Sequence, residues 1–421
     1  MNERFIIHGG KELEGIVQIR GSKNTALPLI AACFLSEETS VLENVPTIAD
    51  VGVMVEIAVK MGASVAWEKE AHRLTVNAKD LSGDTPDEDL SRKLRGSVLF
   101  AGALLGRSRR AVLPYPGGDA IGARPLGVHL RAFESLGVRV SESRFIELDG
   151  AQMCGGPVVM EEPSVTATEN VILAAVRAPG KTVVSLGAIE PHVQELVLFL
   201  NAMGADIQWT PFGRININGG KKLRGARACI NPDELEISGF AALAAATRSE
   251  LVLKSIQPEY LEAVFLHLGK MGVVFDVEGD TLRIRKPAVG YRGFRLQSGL
   301  YPKLGSDHIP PFAVLATQAD GTSLIHDWLY EHRLRYLKEL TKMGASCEVL
   351  DPHRARITGP TPLYGCTIES LDIRSGMTLI IAALVASGES KIAEVSHIDR
   401  GYEALDARLR DLGADIERVA S

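Results

Sequence analysis

Residues 260–285 read YLEAVFLHLGKMGVVFDVEGDTLRIR, and the fold is decided by how this stretch is built. Its first half spaces apolar residues at helical intervals and stops at Met271-Gly272. Its second half alternates apolar and polar residues around Glu278-Gly279-Asp280, the pattern of two half-buried strands joined by a tight turn. Glycine suits the left-handed residue that ends a helix, so the stretch predicts helix, stop, strand, turn, strand.

The same stop recurs. A Met-Gly or Leu-Gly pair stands at Met61-Gly62, Leu136-Gly137, Met203-Gly204, Met271-Gly272, Met343-Gly344 and Leu412-Gly413, with the glycines 75, 67, 68, 72 and 69 residues apart. Helix-period stretches precede them, as in VQELVLFLNAMG and RYLKELTKMG, and alternating stretches follow, as in ADIQWTPFGRININ. Further upstream, each unit carries a second helix that is apolar on nearly every side: TALPLIAACFL, RGSVLFAGALLG, TENVILAAV, SGFAALAAAT, PPFAVLATQA and SGMTLIIAALVA. Small residues dominate these helices, so they are expected to pack closely and be buried all round. A β-branched strand such as TVVSLG or ELVLKS comes next. The chain is therefore expected to be an α/β protein of six βαβαββ-type repeats. A period near 70 is too long for a solenoid. Three repeats per domain, with sheets outside and apolar helices inside, fits better.

Composition narrows the function. A chain of 421 residues is too long for a single core, and its 46% hydrophobic and 23% charged content is that of a globular protein. A net charge of -6 without a long basic block excludes nucleic acid as the main partner. The start, MNERFIIHGG, lacks an apolar leader core, and no run reaches the length of a membrane span, so neither export nor membrane insertion is expected. Five cysteines without a CxxC pair read as reduced thiols of a cytosolic protein. The ten histidines form no HxxxH or His/Cys cluster, so no metal is expected.

Three segments interrupt the apolar pattern with charge and glycine. Gly21-Ser22-Lys23-Asn24 opens the first apolar helix, and a lysine there opposes the helix dipole, while free N–H groups, glycine and lysine together suit an anion. Tyr115-Pro116-Gly117-Gly118-Asp119-Ala120-Ile121-Gly122-Ala123-Arg124-Pro125 is a glycine-rich loop that carries an acid and a cation, the composition of a lid. The third group is Asp307 in GSDHIPP, Asp372 and Arg374 in LDIRSG, and Arg400 in SHIDRGYE. Asp307 and Asp372 each precede an apolar helix, so N-capping is the plain structural reading for both. Arg400 before the final helix is harder to explain that way.

GSKNTALPLIAA, PGGDAIGARP, the aspartate before the fifth apolar helix and HIDRGYEALDARLRDLGA resemble the enolpyruvyl transferase family, over about residues 5–419. The resemblance implies an inside-out α/β barrel of two domains, residues 1–21 with 232–421 and residues 22–231. The second would carry a mobile lid at 114–125, and substrates would bind between the domains. It implies enolpyruvyl transfer from phosphoenolpyruvate to a sugar hydroxyl with release of phosphate and no cofactor. HIDRGYE and the PGGDAIGARP lid are similar to the nucleotide-sugar branch, so the implied acceptor is UDP-N-acetylglucosamine. By the same resemblance, Lys23, Asn24, Arg124 and Arg400 hold phosphoenolpyruvate, Asp307 takes the acceptor's proton, and Arg374 supports the carboxylate. Arg95, Arg124, Pro125, Leu126, Gly127, Val128, Ser164, Val165 and Leu329 would hold the UDP-sugar.

The sequence departs from the family pattern at several points. Asp119 stands where most members carry a cysteine that acts as proton donor. A free aspartic acid titrates near 3.9 and would be ionised at neutral pH. Cations such as Lys23 and Arg124 would favour the anion, and a bound substrate anion would favour the acid, so Asp119 is expected to become a proton donor once substrate is enclosed. Gly127 replaces a usual aspartate, Glu162 a common lysine and Thr166 a glycine, and His308-Ile309-Pro310-Pro311 departs from a usually polar stretch. These changes suit another nucleotide or sugar acceptor as the second reading, and a catalytically silent nucleotide-sugar binder is a third. The presence of Lys23, Arg124, Asp307 and Arg400 together favours an active enzyme.

Overall fold

The computed structural model describes residues 3–119 and 121–420; Ala120, within the expected lid, lies outside them. The chain forms two compact units. One comprises Met1–Arg20, Asp119–Ala123 and Pro232–Ser421, the other Gly21–Gly118 and Arg124–Asn231.

The repeat is visible in the sheets. Among the described residues there are six, five of four strands and one of three. In the first unit, Glu14–Gln18 runs parallel to Glu250–Lys254, which continues antiparallel into the hairpin Thr281–Ile284 and Phe275–Glu278. The same order, a parallel edge strand and then a central strand and a hairpin, is built from Arg295–Gln297, Gly321–His326, Arg354–Gly359 and Ser346–Asp351. The third sheet of this unit is closed by both ends of the chain: Glu3–His8 lies antiparallel between Glu389–Ala393 and Asp415–Ala420, with Glu3 opposite Ala420. The second unit repeats the plan around Ser40–Glu43, Gly180–Ser185 and Arg110–Leu113, the last without a parallel edge.

All six repeat glycines, Gly62, Gly137, Gly204, Gly272, Gly344 and Gly413, have φ between 80° and 101°. A side chain there would strain the backbone, which is why each outer helix ends at this residue and turns into a strand.

The apolar helices fill the centres. In the first unit Glu234–Ala246, Ile309–Thr317 and Ile373–Val385 pack on one another, and all thirteen residues of Glu234–Ala246 are buried. In the second, Leu99–Ser108 packs against both Lys23–Ala32 and Val165–Ala175. Each unit has its own apolar core. This is the inside-out α/β barrel, helices within and sheets over them. No helix among the described residues is long and apolar enough to cross a membrane.

Candidate active site

In the first unit, the site grows from the start of two inner helices. Pro310 and Pro311 occupy the first turn of Ile309–Thr317, where missing N–H groups cost nothing, and Asp307 sits in the single 3₁₀ turn Ser306–His308 just ahead. Capping by Asp307 is therefore corrected: His308 holds the cap position, and the Asp307 carboxylate is left to face cations. Arg333 meets it directly, and Arg374 Nε lies 3.7 Å from its other oxygen. Asp372 does cap its helix, in a full capping box: Oδ1 accepts from the Arg374 and Ser375 amides at 2.9 and 3.1 Å, and Ser375 Oγ accepts from the Asp372 amide. The same Oδ1 is 3.6 Å from Arg333 Nη1. One aspartate thus serves both the fold and the charge cluster.

Arg333, 3% exposed, is the hub. Its Nε–H donates to Ser306 Oγ at 3.2 Å while its two amino groups face Asp307 and Asp372. Arg374, also buried, donates to the Tyr402 hydroxyl at 3.2 Å and stacks over that ring. His308, next to Asp307, is pushed down to about 3 by burial and by Arg374 and His267, so it is neutral. Because the Ser238 hydroxyl donates to Leu235 O, His308 Nδ1–H donates to Ser238 at 2.8 Å.

The expected lid runs between the strand Arg110–Leu113 and the helix Gly127–Ser135. Asp119 makes an ion pair with Arg400, both under one-fifth exposed. Ile121 O accepts from the His332 amide at 3.0 Å, and the Ala123 amide donates to Glu331 at 3.3 Å. Arg400 does not start a helix: it caps the C-terminal end of the short helix Ser396–Asp399, where a cation is favourable, and the final helix Leu405–Asp411 begins later. The difficulty of explaining Arg400 ahead of the final helix is thereby removed.

In the second unit, Lys23 is the first residue of Lys23–Ala32. A Cβ on Gly21 would lie 1.8 Å from Asn44 O, so only glycine lets the chain pass here. The Lys23 charge is met by Asp50 at 3.2 Å, itself in the first turn of Ala49–Lys60. Asn24 is half-buried beside Lys23. Arg95 opens a 3₁₀ turn, and a Cβ on Gly118 would touch both Arg95 Cβ at 2.9 Å and Arg124 Nη2 at 3.2 Å, so these two cations share one glycine. Pro125 and Leu126 lead into Gly127 and Val128, the first residues of Gly127–Ser135, and Ser164 holds the N-cap position of Val165–Ala175 without a side-chain cap hydrogen bond. Beneath them, His129 is held to about 3 by burial and by Arg95. Its Nδ1 accepts from Asn170 at 3.0 Å, which leaves the proton on Nε2 to be donated to Thr166 Oγ1 at 3.3 Å. The unusual Thr166 thus has a partner. Gly127 leaves room over which Arg131 folds, and Arg131 pairs with Glu161, while Glu162 is exposed.

Both units thus present cations of the kind that bind phosphate and carboxylate, and the first also carries two acids against guanidinium groups. The family model for EPSP synthase (3-phosphoshikimate 1-carboxyvinyltransferase) matches residues 7–409. The chain belongs to the EPSP synthase family. Curated members of similar sequence include the UDP-N-acetylglucosamine 1-carboxyvinyltransferase of Treponema denticola, 42% identical over 98% of both chains. Another is UDP-N-acetylglucosamine 1-carboxyvinyltransferase 3 of Caldanaerobacter subterraneus, 38% identical over 99% of both. Among solved structures of the EPSP synthase family fold, the enolpyruvyl transferase NikO of Streptomyces tendae has a TM-score of 0.91 at 24% identity, covering 100% of this chain and 99% of its own. EPSP synthase from Acinetobacter baumannii follows at 0.78 and 19%, with both chains covered in full.

Within this family frame, the structure brings Asp307 together with Arg374, and Asp119 with Arg400; Leu329 donates its amide to Asp327. Sequence reasoning missed Arg333, Asp50 and His129. Nothing in EHRLRYLKEL separates a buried arginine from a solvated one, and Asp50 is an ordinary first-turn acid until Lys23 is placed beside it.

Proposed function

We propose that the protein transfers the enolpyruvyl group of phosphoenolpyruvate to the 3-hydroxyl of UDP-N-acetylglucosamine and releases phosphate, a first step toward peptidoglycan precursors. The observation that carries the reading is that two acids lie against guanidinium groups in one unit, Asp307 on Arg333 and Arg374 and Asp119 on Arg400. The reaction needs that set: a base for the acceptor hydroxyl, an acid for C3, and cations for the substrate's two anionic groups.

Asp307, which faces Arg333 and Arg374, takes the hydroxyl proton as the oxygen bonds to C2. Asp119 delivers a proton to C3. The tetrahedral adduct then loses a C3 proton and phosphate, which restores the double bond. Lys23, Asn24, Arg124 and Arg400 hold phosphoenolpyruvate, with Arg374 on its carboxylate. Arg95, the run Arg124 to Val128, Ser164, Val165 and Leu329 hold the UDP-sugar. Asp119 must leave Arg400 and gain a proton to act, and a substrate anion on Arg400 would drive both. The names of the curated relatives favour this acceptor over another sugar.

The test is phosphate release from phosphoenolpyruvate by purified protein, with and without UDP-N-acetylglucosamine. Release that needs the UDP-sugar and is lost in Asp307→Ala supports the reading. Phosphoenolpyruvate binding without release would point to another acceptor, and neither to a silent binder.

A further inference from the structure

Behind the base lies a carboxylate that the reaction above does not use. Asp327 follows the strand Gly321–His326 and is 0% exposed. Its partners are neutral: Ser298 Oγ donates to Oδ1 at 3.0 Å, Ser306 Oγ to Oδ2 at 2.7 Å, and the Leu329 amide to Oδ1 at 3.3 Å. Among the described residues no cation is paired with it, so burial pushes its carboxyl up. A fully buried acid held only by neutral donors is costly to keep for stability alone.

Its placement supplies a reason. Ser306 has one proton, committed to Asp327, so its lone pairs are left for the Arg333 Nε–H at 3.2 Å. A hydroxyl polarised by a carboxylate is a better acceptor. Arg333 is planar, and with Nε fixed on Ser306 its amino groups can meet Asp307 and Asp372 in only one orientation.

We propose that Asp327 is a positioning residue for the base, acting through Ser306 to hold Arg333 on Asp307. The proposal rests on the reaction assigned above. The charged groups around Asp307 are Arg333 and Arg374, with Asp372 and Asp119 beyond Arg333 and neutral His308 next in the chain. Around Asp327 stand His353, whose ring meets its backbone carbonyl, and Tyr336. Loosening Arg333 removes stabilisation from the Asp307 anion, so the base should hold its proton to higher pH.

The experiment is a carboxyl ¹³C NMR titration of Asp307, its resonance assigned by loss in Asp307→Asn, beside the pH profile of kcat/KM. In Ser306→Ala and in Asp327→Asn, the Asp307 midpoint and the acid limb should both move to higher pH. In each, kcat should fall roughly five- to tenfold, the size of one weakened charge-assisted hydrogen bond. The double variant should cost no more than the worse single one, and Ser306→Thr, which keeps the hydroxyl, should restore the midpoint. Unchanged Asp307 titration in Ser306→Ala, or fully additive losses, would overturn the proposal. The titration reads Asp307 whether or not the protein turns over. Wild-type protein that releases no phosphate would therefore refute the reaction and leave this inference to be decided by the midpoint.

Discussion

Replacing Asp119 by asparagine should tighten phosphoenolpyruvate binding while removing turnover. Asp119 occupies Arg400, a cation that the proposed reaction assigns to the substrate. With side chains 19% and 18% exposed, the pair lies between surface and interior. Two unit charges 4 Å apart at an effective dielectric constant of 20 attract by about 4 kcal/mol. Lost hydration and ordering of both side chains take back more than half, leaving about 1–2 kcal/mol for the substrate to overcome. Asp119→Asn keeps the shape and removes the competing charge, so its Kd for phosphoenolpyruvate should be roughly 5- to 30-fold lower than wild type. Isothermal titration calorimetry of phosphoenolpyruvate alone measures this directly. Repeating it in buffers of different ionisation enthalpy should show proton uptake by the wild type and none by the variant. A variant that binds phosphoenolpyruvate no better than wild type would refute the competition, and with it the route by which Asp119 becomes an acid.

Glu169, in the inner helix Val165–Ala175, is held well above the usual carboxylate range by burial and then by Glu190. Its contribution to stability is full below about pH 4.3, the unfolded value, and is lost as pH rises toward the folded one. Glu169→Gln should therefore gain on wild type in urea denaturation between pH 5 and pH 8; a pH-independent gap would count against a buried neutral acid. Gly21→Ala must push a Cβ against Asn44 O, which should cost about 1–3 kcal/mol and lower the midpoint of thermal unfolding; an unchanged midpoint would mean the loop yields freely. An epoxide that alkylates a thiol finds a carboxylate at Asp119 and should leave position 119 of the wild-type protein unmodified by peptide mass spectrometry, whatever it does at the exposed Cys154 and Cys229. Asp119→Cys should become modified in a time-dependent way.

Local chemistry explains what could be read in advance. The six glycine stops were visible because a left-handed helix end admits few other residues, and all six adopt that conformation. The inner helices were visible because a segment apolar on every side has nowhere else to go. Lys23 was flagged because its charge is wrong for a helix start, and Asp50 resolves the conflict. Arg333 was not legible. Its burial is created by Asp307, Ser306 and Asp372, which are 26 or more residues away in the chain, and no local pattern announces three such partners. Asp307 and Asp372 looked alike in sequence, each an acid before an apolar helix. Only the 3₁₀ turn Ser306–His308, which contains Asp307, keeps it out of the cap position that Asp372 holds at its own helix.

The strand Glu3–His8, clasped between Glu389–Ala393 and Asp415–Ala420, has a consequence for synthesis. Translation delivers this strand long before Glu389–Ala393 and Asp415–Ala420, so it must wait for both before its amides and carbonyls are paired. Residues 21–118 and 124–231 emerge together in between and can close their own core early, whereas the other unit cannot finish until Asp415–Ala420 has emerged. During that interval an apolar edge strand is left for chaperones to shield, and truncations that spare every residue of the site would still strand it unpaired.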